Sequence, residues 1–98
     1  MEIDFMTDAM EIISDLKSTE DYLGAERIVI IKIKKHLDKG IPIPAIESNL
    51  NRLLNYFQNQ ITITPGYNDC IKYMYVVAFL ETLLHSSYWH SWINTSKA

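Results

Sequence analysis

The sequence predicts an all-α fold: one domain over residues 1–98, built as a small array of four to five helices. Three observations predict it. Residues 2–17 and 44–60 place their apolar side chains at helical spacing. Residues 68–86 are apolar almost all round, the pattern of a central helix contacted on several sides. Prolines and glycines fall at the joints between these segments.

In the first segment Ile3, Phe5, Met6, Ala9, Met10, Ile12, Ile13 and Leu16 fill one half of a helical wheel. Asp4, Asp8, Glu11 and Asp15 cluster within about 60° on the other side. Ser18 or Thr19 suits the cap of the second helix, with Glu20 and Asp21 near its positive end. Gly24 loosens that turn, so the regular helix is expected over residues 25–39. Lys34, Lys35 and Lys39 complement its negative end, and Gly40 takes the position just past it. RIVIIKIKK is β-branched and alternates with period two, so a strand competes here. A minor two-stranded ribbon pairing residues 30–34 with 61–64 is the alternative arrangement. Helix is preferred because fifteen residues without a turn signal are long for a strand.

Ile41-Pro42-Ile43-Pro44 must be extended or turned, and Pro44 suits the first helical position. Ile46, Leu50, Leu53, Leu54 and Phe57 then mark a narrow apolar seam, with Asn49, Asn51, Asn55, Gln58 and Asn59 on the opposite face. Residues 61–66 are a connector ending in the turn Pro65-Gly66. The final helix, 68–86, carries Ile71, Met74, Val76, Val77, Phe79, Leu80, Leu83 and Leu84.

Charge is segregated more strongly than the net −3 suggests. Residues 1–26 carry eight acids against Lys17 alone, whereas residues 27–39 carry Arg27, Lys32, Lys34, Lys35 and Lys39 against Asp38. Nucleic acid is not an expected partner, because no long basic stripe exists and these cations can pair with the acidic first helix. The longest apolar run, residues 73–80, is less than half a membrane span. The acidic N-terminal MEIDFMTDAME lacks the basic region of a secretion signal, so a cytoplasmic location is expected.

No constellation points to catalysis, and the chain is not expected to be an enzyme. His36, His85, His90 and Cys70 could nominally ligate zinc, but no HxxxH or CxxC pair exists, and no metal or other cofactor is expected. Cys70 lies early in the most apolar helix, beside Asp69, which suits packing better than nucleophilic attack. The lone acid of that helix, Glu81, suits pairing with Arg52 or a lysine, or a place at the surface.

Two features fit partner binding. The tail motif Tyr88-Trp89-His90-Ser91-Trp92 offers hot-spot aromatics, unless both Trp rings fold back over the central helix. Along the first helix, Asp4 with Asp8 and Glu11 with Asp15 are like-charged pairs four apart, which cost a few tenths of a kcal/mol each. A basic partner offsets that cost; a solvated outer face is the plainer explanation. The expected partner surface is therefore Asp4, Asp8, Glu11, Asp15, Glu20, Asp21, Tyr88, Trp89 and Trp92. On this reading, the double substitution Asp8→Lys with Glu11→Lys leaves stability unchanged or slightly raised.

Size, acidity, helical content and clustered carboxylates with Tyr and Trp resemble the bacterial toxin-immunity class, and LNRLLNYF at residues 50–57 is similar to helices of soluble bacteriocin immunity proteins. The resemblance implies a one-to-one complex with a cognate protein toxin, commonly a basic nuclease, neutralised by occlusion. The alternative is an all-α oligomerisation or adaptor module of phage or bacterial origin. In that homodimer the acidic stripe meets the basic segment 32–39 of a second copy.

Overall fold

A computed structural model of the chain describes residues 3–16 and 22–85. Within them it is all-helical: α1 (Phe5–Asp15), α2 (Tyr22–Asp38), α3 (Ile43–Ile63) and α4 (Tyr67–Leu84).

Helix α1 is shorter than its apolar pattern suggests. Asp4 stands outside it in extended backbone as the N-cap, its side chain accepting from the Thr7 amide at 3.2 Å and the Thr7 hydroxyl at 2.8 Å. A short acid satisfies the otherwise orphaned amides of a first turn, which is why the helix starts here. Ala9, Ile12 and the C-cap Leu16 are buried.

The two-stranded ribbon is not formed. Residues 30–34 lie inside α2, and residues 61–63 form the last turn of α3. The reason is visible in what α2 buries: Ala25, Ile28, Val29, Lys32 and Ile33, at helical spacing. Ile31 lies half exposed on the other side, so the alternation of Ile31 and Ile33 was a coincidence of composition. Helix α2 also starts earlier than expected, running through Gly24 from Tyr22. Its end is as expected. Gly40 has φ +78°, its amide bonds to the Leu37 carbonyl at 3.0 Å, and the Ile41 amide reaches back to His36 at 3.1 Å. This is a Schellman closure, which a residue without a Cβ enters at no steric cost.

Pro42 caps α3 in extended backbone, and Pro44 sits in its first turn. The seam Ile46, Leu50, Leu53, Leu54 and Phe57 is buried as expected, and Asn49 is buried with it. The helix continues to Ile63, so half of the expected connector is helical. Only Thr64, Pro65 and Gly66 join it to α4, making an antiparallel hairpin. Gly66 turns the chain with φ +91°.

The broadest helix contact is α3 with α4, followed by α2 with α4; α1 packs on α2 and α3. Val76, Leu80 and Leu83 of α4 are buried, while Met74, Ala78, Glu81 and Thr82 face outward. Among the described residues, helix α4 is thus covered on two sides rather than surrounded. Phe57 packs on Tyr73 at a centroid distance of 5.8 Å, and Phe5 meets Tyr56 edge-on at 5.5 Å. Among the described residues, no helix is long and apolar enough to cross a membrane.

Candidate functional site: the charged α1–α2 face

The acids of α1 and the bases of α2 meet along one seam. Asp8, the acid nearest the core, is only 6% exposed. Its Oδ2 accepts from His36 Nε2 of α2 at 2.7 Å and from Asn49 Nδ2 of α3 at 3.0 Å. A carboxylate only accepts, so the ring proton lies on Nε2. His36 Nδ1 is buried and, among the described residues, has no hydrogen-bond partner. Residues of two helices, α2 and α3, therefore converge on one oxygen atom of a third, α1.

One turn further along, Glu11 pairs with Lys32 of α2. The Lys32 ammonium is mostly buried, whereas the Glu11 side chain is 48% exposed. The hydrogen bond from Lys32 holds the Glu11 carboxyl below its usual pKa, and the charges of Lys32, Lys35 and Lys39 add to the effect. Asp4 is also held below its usual value, first by the Thr7 hydroxyl and then by the Thr7 amide.

Open grooves flank the Glu11–Lys32 bridge. One, of about 310 Å³, is bounded by the cap Asp4 with Thr7 and Asp8 of α1, and by Lys35 and His36 of α2 with Lys39 just past its end. The other, of about 640 Å³, lies between Ser14 and Asp15 on α1 and Arg27, Ile28 and Ile31 on α2. Apolar side chains of α1 also reach solvent: Met10 is 67% exposed and Met6 is 45% exposed.

The structure separates the four acids of the stripe. Asp4 is a cap, Asp8 is buried, Glu11 is bridged yet half exposed, and Asp15 is exposed beside the larger groove. The cations of residues 27–39 do pair with the acidic helix, through Lys32 on Glu11. The Asp4–Asp8 repulsion is corrected, since a carboxylate at an N-cap is favourable. Glu20, Asp21, Tyr88, Trp89 and Trp92 lie outside the described residues.

Sequence reasoning missed His36 and Asn49 as buried polar residues. The signal was spacing: His36 continues the α2 row Ala25, Val29, Lys32, and Asn49 lies between Ile46 and Leu53 in the α3 seam. Elsewhere, Glu81 is exposed and accepts from Gln58 Nε2 at 3.0 Å, rather than from Arg52 or a lysine. The Arg52 guanidinium instead lies 4.5 Å from the centroid of the Phe5 ring. Cys70 is buried, its Sγ 3.8 Å from Met74 Sδ. Among the described residues, no three His, Cys, Asp or Glu side chains converge as a metal site requires.

The chain matches no family model, no curated protein and no solved structure.

Proposed function

We propose that the chain is a stoichiometric protein-binding module of the immunity type, a cytoplasmic inhibitor that occludes a basic protein toxin. The observation that carries this reading is the outer face of α1. Met6 and Met10 stand exposed there, and Glu11 and Asp15 are exposed further round the same helix, on the side that meets α2. An apolar patch with a carboxylate rim along one side suits a basic partner: the thioethers adapt to its contour, and the acids steer its approach. Asp8 does not belong to that rim. It anchors the helix that presents it.

The test is co-expression with the product of the neighbouring reading frame, read by growth and by the mass of the co-purified species. The expected result is rescued growth and a one-to-one complex. Met10→Ala with Asp15→Lys should keep the free protein folded while slowing association, most strongly at low salt. Unaltered association by that variant would remove α1 from the interface. Failure to bind or protect against the neighbouring product would reject the toxin pairing.

A further inference from the structure

The face around the α1–α2 seam carries two columns of opposite sign, side by side and in register. The groove linings set that register. Asp4 lies level with Lys39, Glu11 with Lys32 and Lys35, and Asp15 with Arg27. Each helix also exposes one large apolar side chain near its middle, Met10 on α1, round the helix from the acids, and Ile31 on α2 at the larger groove, at 67% and 48%.

Such a face is complementary to itself in one orientation. Rotation by 180° about an axis in the contact plane, parallel to the helices, lays the acidic column of one copy on the basic column of the other at unchanged height. Asp4 then meets Lys39, Glu11 meets the exposed Lys35, Asp15 meets Arg27, and Met10 of each copy meets Ile31 of the other. Rotation about the perpendicular in-plane axis stacks like on like and is repelled. A two-fold contact repeats every favourable pair twice.

We propose that, without another partner, this chain forms a two-fold dimer through the α1–α2 face, α1 of each copy lying on α2 of the other. The dimer covers the exposed methionine Met10, so a basic partner docking on α1 must displace the second copy. Self-association is measured on the chain alone, and so stands or falls separately from toxin binding.

The experiment uses sedimentation equilibrium of the full chain and two exposed-site variants, Met10→Lys and Ile31→Glu, with circular dichroism confirming that each is folded. The wild type is expected at twice its 11.4 kDa mass, shifting towards monomer as salt rises. In Met10→Lys the new cation faces the basic column, and in Ile31→Glu the new acid faces the acidic one. Each variant alone should raise the dissociation constant by roughly tenfold or more. Mixing the two should restore a heterodimer, because Lys at 10 then faces Glu at 31 while the native Met10–Ile31 contact remains on the other side. A wild type that stays monomeric at hundreds of micromolar, a dimer indifferent to both variants, or a mixture that fails to pair would each overturn the proposal.

Discussion

Asp8→Ala is the substitution that bears most directly on the observed fold. It removes one buried carboxylate and strands two donors, His36 Nε2 and Asn49 Nδ2, that now converge on its Oδ2. A buried donor left unsatisfied costs about 1–3 kcal/mol, and alanine returns only about 0.5 kcal/mol in helix propensity. The net loss should therefore be about 2–4 kcal/mol, or roughly 10–20 °C in Tm for a domain of this size. Urea denaturation followed by helical circular dichroism measures it. A double-mutant cycle with Asn49→Ala should return a coupling of about 1 kcal/mol, since both changes cut the same bond. Asp8→Lys with Glu11→Lys should be worse still. It places one ammonium in the buried site of Asp8 and another against Lys32. The sequence alone predicts the opposite sign for that pair, so the experiment discriminates sharply. If Asp8→Ala loses less than ~1 kcal/mol, the three-helix junction is not a stabilising feature and the reasoning fails.

Acid titration should find the two exposed carboxylates. Both Glu11 and Asp4 are held below their ordinary pKa in the fold, so each contributes stability that is present above the unfolded value and lost as pH falls through the folded one. Glu11→Gln and Asp4→Asn should thus weaken the fold at neutral pH and converge with the wild type as pH falls below the ordinary carboxylate range; a gap that persists in acid would contradict the assignment. Leu80→Ala and Leu83→Ala, at positions 0% and 1% exposed, should each cost about 2–5 kcal/mol in the same urea assay. Losses under ~1 kcal/mol would place α4 outside the core.

What was legible in the sequence was the apolar pattern. Ile46, Leu50, Leu53, Leu54 and Phe57 form a seam because a helix repeats every 3.6 residues, and no competing period runs through them. The Gly40 stop was equally plain, since lysines before it and Ile-Pro after it all agree. The misreadings arose where local and tertiary signals conflict. Ile31-Lys32-Ile33-Lys34 alternates like a strand, yet Lys32 is buried and Ile31 is not, an inversion that the Glu11 bridge across to α1 explains. The start of α1 was misplaced because Ile3 extends the apolar pattern past the cap, and periodicity does not distinguish a cap acid from a helical one. The polar junction was illegible for a related reason: whether Asp8 faces water or His36 depends on how two helices pack, and single-helix wheels carry no such information.

That junction also ties the fold to the proposed interface. Helix α1 is short, and its apolar arc is wider than the surface the other helices cover, so burial alone permits it to roll about its axis. Turning it by one residue would swing each side chain by about 100°. It would carry Asp8 away from both donors and break the Glu11–Lys32 pair at the same time. A polar cluster is satisfied only in one geometry, whereas the apolar contact would survive the roll with Ile13 and Met10 in place of the buried Ile12 and Leu16. Asp8, His36 and Asn49 therefore fix the rotation of α1 rather than merely adding to its burial. With that rotation fixed, Met10 points outward, Glu11 lies against α2, and Asp15 borders the groove opposite Arg27. The acids that the sequence groups into one stripe thus divide their work: the buried one sets the angle at which the exposed ones, and the methionines beside them, are presented.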